Sequence, residues 1–229
     1  GEAFDTLEKK IHEGSGLSID SVTSVPPVSD IQDLPHDKLQ YVLSFYNQGQ
    51  MQRALDEASK LLNQYPNAFI LHNVCGITNA DLGQYDAAIE SYTRALTINP
   101  NDAQVHFNMG VLLDDTGDLK GAIESYNKVI ELDINYFKAH NNLGNIYRKK
   151  GLNKRAIECY LSTLEINSNY KVAYYNLAGV LQFYILDEEN KNINKYLLHL
   201  LKEKIIVRPN SIAPNILNGL FSVSYTHLT

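Results

Sequence analysis

Tryptophan is absent from this chain of 229 residues, and cysteine occurs only twice, as Cys75 and Cys159. Two cysteines cannot form the disulfide framework of a small secreted domain, and no Cys-X-X-Cys pair or Cys/His cluster indicates a zinc site. We therefore expect no metal, and reduced thiols of this kind are typical of a cytoplasmic protein. Both cysteines fall at core-facing positions of the helical pattern described below, which predicts buried, inert thiols.

Long apolar runs, excess positive charge and catalytic motifs are missing as well. No apolar run approaches the ~20 residues that a helix needs to span a bilayer, so we expect no membrane partner. The formal net charge is −6, whereas nucleic-acid-binding domains are usually basic, so we expect no nucleic-acid partner. P-loop, G-X-G-X-X-G, H-E-X-X-H and G-X-S-X-G motifs do not occur, and no paired carboxylates are placed to meet in a cleft. We predict no cofactor and no catalytic activity for this chain.

A period of 34 residues runs through the middle of the chain. Four glycines stand 34 residues apart, and an alanine follows each of them five residues later: Gly49 and Ala54, Gly83 and Ala88, Gly117 and Ala122, Gly151 and Ala156. On this frame the repeats begin at Pro35, Phe69, Ala103, Phe137 and Lys171. A fixed period of this length is the sequence signature of a repeat array.

Each repeat carries two apolar stripes with helical spacing. In repeat 3 (103–136), Val105, Met109 and Leu112 form the first stripe, and Tyr126 and Val129 belong to the second. This pattern predicts two amphipathic helices with the glycine in the turn between them. Since one helical hairpin cannot bury its own apolar face, neighbouring repeats are expected to stack into a continuous core.

The repeat resembles the tetratricopeptide repeat, a helix–turn–helix unit with a Leu-Gly pair in its first helix. Met109-Gly110 and Leu143-Gly144 match that pair, and Cys75-Gly76 is a variant of it. The resemblance covers residues 35–184 and implies an all-α solenoid, a right-handed superhelix whose first helices line a concave face. It also implies a scaffold that binds a protein or peptide in that groove.

Three histidines, His72, His106 and His140, share one position in consecutive repeats. A metal site is one interpretation, but equivalent residues in neighbouring repeats are expected about 10 Å apart, given usual helix packing distances. Zinc needs its nitrogen ligands about 2.0–2.1 Å away. We therefore favour a structural role, in which each ring replaces the usual aromatic side chain.

Asparagines cluster on the first helices and suggest a peptide-binding groove. Asn108, Asn142 and Asn176 share one position, and a similar asparagine ladder is known in the repeats of O-linked N-acetylglucosamine transferases. Their amides either hold a peptide backbone or bond locally within the stack. The predicted groove comprises Asn73, Phe107, Asn108, Val111, Asn141, Asn142, Asn145, Arg148, Lys149, Tyr175 and Asn176. The lysine that the family's chaperone-tail clamp requires is missing, so chaperone tails are disfavoured as ligands.

Charge changes sign along the array, from −3 in repeat 2 (69–102) and −4 in repeat 3 to +4 in repeat 4 (137–170). One interpretation is a basic patch for an acidic peptide or a phosphate. The other is local pairing, because Asp114 and Asp115 of repeat 3 hold the same positions as Arg148 and Lys149 of repeat 4.

The flanking segments do not keep the 34-residue frame. Residues 1–34 are expected to form an acidic arm or linker, residues 185–222 a helical cap or connector, and residues 223–229 a non-native tail that looks like translated adapter sequence. Ile205 to Leu217 resembles the connector of bacterial repeat proteins that continue into a methyltransferase. The alternative function is therefore the recognition arm of a larger transferase, a methyltransferase, sulfotransferase or glycosyltransferase, with the present chain incomplete at both ends.

Overall fold

The computed structural model describes residues 34–181 of the chain. The predictions about the acidic arm, the cap or connector, the tail and a downstream transferase fall outside it. Within it, nine α-helices follow one another without a strand. They are α1 (His36–Asn47), α2 (Met51–Gln64), α3 (Phe69–Asp81), α4 (Tyr85–Ile98), α5 (Ala103–Asp115), α6 (Leu119–Leu132), α7 (Phe137–Lys149), α8 (Asn153–Ile166) and α9 (Lys171–Leu181).

The helices confirm the predicted all-α helix–turn–helix solenoid. The predicted repeat starts at 69, 103, 137 and 171 coincide with the first residues of α3, α5, α7 and α9. The four spaced glycines lie in the turns between paired helices, with φ of +73°, +72°, +87° and +72° at Gly49, Gly83, Gly117 and Gly151. A residue with a Cβ is strained in this left-handed conformation, which explains why glycine recurs there.

The chain divides into two compact units, Gly1–Leu112 and Leu113–Thr229, whose described parts are residues 34–112 and 113–181. In the first unit, α3 is central: every residue from Leu71 to Asn79 is buried. In the second unit, the core around α8 and α9 includes Tyr160, Leu164, Leu177 and Leu181, each no more than 1% exposed. Burial of these apolar side chains supplies the main driving force for stacking.

Two helical glycines permit close packing of paired helices. A Cβ at residue 76 would lie 2.4 Å from the ring of Tyr92, and a Cβ at residue 144 would lie 2.6 Å from the ring of Tyr160. These separations are shorter than any tolerable carbon–carbon contact. Packing therefore requires glycine at these two Leu-Gly positions, because the tyrosine ring of the second helix occupies the space that a Cβ would need. Over residues 34–181, no helix has both the length and the apolarity needed to cross a membrane.

Candidate functional site

The repeated histidines attach each first helix to the loop before it. Nε2 of His72 lies 2.8 Å from the carbonyl oxygen of Pro66. The matching distances are 2.9 Å from His106 to Pro100 and 3.0 Å from His140 to Ile134. Because a carbonyl oxygen only accepts, the ring donates from its Nε2–H.

The fourth member of this series is a tyrosine. The hydroxyl of Tyr174, at the same repeat position, donates to the carbonyl of Ser168 at 3.1 Å. The rings therefore have the structural role predicted for them. No group of three or more His, Cys, Asp or Glu side chains within residues 34–181 is placed to hold a metal.

In the first unit, the predicted groove asparagines bond to neighbouring side chains. Asn108 donates from Nδ2 to Oδ1 of Asn73 at 3.2 Å, and its own Oδ1 accepts from Gln104 at 2.8 Å. Asn73 is buried, with 3% of its surface exposed, while Phe107 and Val111 are half-buried. Much of the hydrogen-bonding capacity predicted for a peptide is thus used between α3 and α5.

A second chain of amides runs through the other unit. Asn176 donates to Oδ1 of Asn141 at 3.1 Å, Asn141 donates to Oδ1 of Asn142 at 3.3 Å, and Asn142 donates to the hydroxyl of Tyr126 at 3.2 Å. Asn141 is buried, whereas Tyr175, Asn142 and Asn176 are half-buried. The local interpretation of the ladder therefore accounts for these bonds.

Asn145 differs from the other predicted groove asparagines. Its Oδ1 accepts a hydrogen bond from the hydroxyl of Tyr160 at 2.8 Å, which fixes the orientation of the amide. No other hydrogen bond of Asn145 is present within residues 34–181, and no buried side-chain nitrogen or oxygen there lacks a partner. The amide nitrogen of Asn145 is therefore not fully buried, and neither of its two N–H groups is hydrogen-bonded within residues 34–181.

The cations at the end of α7 have different surroundings. Nζ of Lys149 lies 2.7 Å from Oδ1 of Asp114, which confirms the predicted pairing between repeats 3 and 4. With about half of the Lys149 side chain exposed, this pair contributes at most about 1 kcal/mol. Arg148, half-buried, extends toward Gly179, whose Cβ position would be 3.6 Å from a guanidinium nitrogen. It makes no ion pair with another residue in 34–181.

The two cysteines lie in unequal environments. Cys75 is buried, and burial raises the pKa of its thiol from 9.0 to about 11. Cys159 is only half-buried, so the prediction of full burial is wrong for this residue, although burial still raises its pKa to about 12. Both thiols stay protonated at neutral pH and are poor nucleophiles.

A polar groove of about 510 Å³ lies between α2 and α4, with His72, Cys75 and Asn79 among its lining residues. Its walls include Glu90 and Arg94, which pair with each other at 2.9 Å. Nothing in this arrangement provides an activated nucleophile or an acid–base pair.

Two tyrosines that orient the groove amides were not among the predicted site residues. Tyr126 and Tyr160 recur with the 34-residue spacing on the second helices, and their hydroxyls hold Asn142 and Asn145. That spacing was the available signal, but which asparagine each hydroxyl meets depends on how the helices cross.

A model of the TPR repeat matches residues 78–117 and 113–151, and models of the tetratricopeptide repeat match residues 137–170 and 39–68. Together these matches cover more than half of the chain. No curated protein matches.

Several solved structures share the fold. The crystal structure of MamA is 24% identical, covers 72% of this chain and 96% of its own, and has a TM-score of 0.63. PilF from Pseudomonas aeruginosa is 18% identical, with 72% of each chain covered and a TM-score of 0.61. YrrB is 16% identical, with 87% of this chain and 97% of its own covered and a TM-score of 0.57.

Proposed function

Because this chain belongs to the tetratricopeptide repeat family, we propose that residues 34–181 act as a scaffold that binds a protein or peptide and carry no catalytic activity of their own. The helical repeats and their structural relatives support an interaction scaffold. One relative, YrrB, is described as a TPR protein with an unusual peptide-binding site, which supports a peptide as the class of ligand.

The observation that carries the proposal is the amide of Asn145, whose nitrogen makes no hydrogen bond within residues 34–181. Its oxygen is held by Tyr160, so its two N–H groups are oriented before a ligand arrives. An oriented donor loses little entropy on binding, and a peptide carbonyl is a suitable acceptor. Asn145 and Arg148 are one helical turn apart on α7, so the amide and the guanidinium lie on one stripe. We propose that an extended peptide crosses this stripe.

Half-buried side chains of α9 extend the proposed surface. Tyr175 and Asn176 lie on the helix that follows in the stack, and Asn176 is joined to α7 through its 3.1 Å bond to Asn141. Aromatic and amide side chains of this kind give contact area and backbone hydrogen bonds together. The proposed core of the binding surface is therefore Asn145, Arg148 and Tyr175, with the bonded asparagines as its support.

The test begins with a random peptide library displayed on phage and panned against the full chain. A selected peptide is then labelled, and its affinity is measured by fluorescence anisotropy. We expect Asn145→Ala to weaken binding about tenfold, and Tyr160→Phe to weaken it by a smaller factor, because Phe keeps the ring but releases the amide. Asn127→Ala is the matched control, since Asn127 is an exposed asparagine on α6 of the same unit.

Equal affinities of the Asn145→Ala variant and the unmodified chain would place the peptide elsewhere. A failure to select any peptide would argue against the scaffold function itself. Circular dichroism of each variant separates lost binding from lost folding.

A further inference from the structure

Two turns of the array share one backbone conformation but carry side chains of opposite charge. In the α3–α4 turn, the N–H of Gly83 donates to the backbone carbonyl of Ala80 at 2.9 Å, and the N–H of Gln84 donates to the backbone carbonyl of Asn79 at 2.8 Å. In the α7–α8 turn, the N–H of Gly151 donates to the backbone carbonyl of Arg148 at 2.9 Å. The N–H of Leu152 donates to the backbone carbonyl of Tyr147 at 2.9 Å. Because both glycines have φ of +72°, the two turns present corresponding positions in the same way.

The α7–α8 turn combines cations with an exposed apolar residue. Lys150, Lys154 and Arg155 are exposed, and none of them forms an ion pair with another residue in 34–181. Leu152 lies among them with 41% of its surface exposed. The guanidinium of Arg155 lies 5.6 Å from the centre of the Tyr147 ring, a cation–π contact. We call Lys150, Leu152, Lys154 and Arg155 the basic turn.

Folding alone does not explain the basic turn. Leu152 stands at the N-cap of α8 and offers no side-chain acceptor, whereas Asp118 at the equivalent place of α6 accepts from the N–H of Gly121 at 3.0 Å. Lys154 and Arg155 lie in the first turn of α8, where the helix dipole disfavours cations. Leu152 and Lys154 are therefore unfavourable residues for the start of α8, whereas Arg155 gains its contact with the Tyr147 ring.

The α3–α4 turn has the complementary composition. Asp81 and Asp86 are exposed, and Leu82 and Tyr85 between them are 38% and 46% exposed. We call these four residues the acidic turn. Three of the five exposed large apolar side chains within residues 34–181 thus lie in these two turns, each beside charges of a single sign.

We propose that the basic turn of one chain docks on the acidic turn of a second copy of the same chain. The partner is a second copy because both halves of the contact, opposite charges and exposed apolar residues, are present on one polypeptide. Leu152 would pack against Leu82 and Tyr85, while Lys150, Lys154 and Arg155 would approach Asp81 and Asp86. The proposal uses none of the residues of the peptide-binding stripe and does not rest on the proposed function.

In this contact the basic turn of one chain binds the acidic turn of another. The resulting pair still has one free acidic turn and one free basic turn. Such heterologous association continues beyond a dimer unless a ring closes. Each turn offers only a few residues, so the contact is small, and small contacts of this kind are transient. The association is therefore expected to be reversible, to grow with concentration and to weaken with salt.

Sedimentation velocity of the full chain over a series of concentrations tests this proposal. Variant one, Lys150→Glu/Lys154→Glu/Arg155→Gln, makes the basic turn acidic. Variant two, Asp81→Asn/Gln84→Lys/Asp86→Lys, makes the acidic turn basic. Its Asp81→Asn change keeps an acceptor for the hydroxyl of Tyr46, which bonds to Asp81 at 2.6 Å. We expect the association affinity of either variant alone to be at least about tenfold lower than that of the unmodified chain. An equimolar mixture of the two should recover association, because each variant then carries what the other lacks.

Lys120→Glu/Lys128→Glu is the control, since it reverses two cations of α6 outside both turns. It should associate like the unmodified chain, and thermal melts should show all variants folded. The proposal is overturned if the unmodified chain stays monomeric at every concentration, if either variant associates undiminished, or if the mixture fails to recover. If either variant associates as strongly as the unmodified chain, the oligomer forms through another surface.

Discussion

Tyr160 packs directly on the backbone of Gly144: Cε1 of its ring lies 2.6 Å from the point that a Cβ at residue 144 would occupy. The same ring ends in the hydroxyl that holds Asn145 at 2.8 Å. One residue of α8 thus closes the hairpin and orients the proposed peptide-binding amide.

The first prediction concerns this contact. Gly144→Ala should lower the free energy of unfolding by about 1–3 kcal/mol, because the new methyl group meets an aromatic ring in a packed core. Gly179→Ala is the matched control, since its Cβ would meet only an Arg148 nitrogen at 3.6 Å, so it should stabilise α9 by up to about 1 kcal/mol. Urea denaturation measures both, and equal effects at the two positions would contradict the packing explanation.

The second prediction concerns the turns. Gly151→Ala should destabilise the chain by about 1–2 kcal/mol, because φ of +72° is strained for a residue with a Cβ although no atom lies within 4 Å. Gly151→Asn should cost less, since asparagine tolerates this conformation better. If the two variants melt at the same temperature as the unmodified chain, backbone strain is not the reason for glycine here.

The third prediction concerns the histidine series. His140→Phe should cost about 0.5–1.5 kcal/mol, because it removes the donor that bonds the Ile134 carbonyl at 3.0 Å. His140→Tyr should cost less, since Tyr174 makes the equivalent bond at the same repeat position. Thermal denaturation with and without added zinc gives the comparison. A zinc-dependent rise in melting temperature that His140→Phe abolishes would restore the metal interpretation.

The fourth prediction separates structural from binding asparagines. Asn108→Ala should destabilise the chain by about 1–3 kcal/mol, because it leaves Oδ1 of the buried Asn73 without the Asn108 donor. Asn145→Ala should also cost stability, because it removes the acceptor of the hydroxyl of the buried Tyr160, but unlike Asn108→Ala it should weaken peptide affinity as well. Chemical denaturation and anisotropy on the same two variants decide the matter, and an equal loss of peptide affinity in both variants would contradict the assignment.

The fifth prediction is a pH dependence. Burial raises the pKa of Cys75 from 9.0 in the unfolded chain to about 11, so the folded state retains the proton longer. The stability contributed by this group is complete below pH 9.0 and is lost as pH rises toward about 11. The difference in unfolding free energy between the unmodified chain and Cys75→Ala should therefore shrink over that interval. A constant difference would show that the thiol does not titrate with a raised pKa.

The sequence predicted the positions of most candidate-site residues, but not their hydrogen-bond partners. The 34-residue period placed Asn108, Asn142 and Asn176 at equivalent points of successive first helices. Whether an amide faces a ligand or another amide depends on donor–acceptor distances of about 3 Å between side chains of neighbouring helices. These distances differ from one repeat to the next. Asn108 and Asn176 therefore bond to neighbouring asparagines, while the N–H groups of Asn145 make no hydrogen bond within residues 34–181.

The sequence by itself determined the helices, their turns and their order, because glycine spacing and apolar periodicity act over a few residues of chain. It also predicted ion pairing between the ends of α5 and α7, although Lys149 pairs with Asp114 rather than with Asp115, its equivalent in repeat 3. Only the tertiary structure decided that Tyr160 fills the space above Gly144 and holds Asn145, and that Cys159 is half-buried rather than buried. These outcomes depend on how closely two helices approach and cross, which is set by the packing of all their side chains at once.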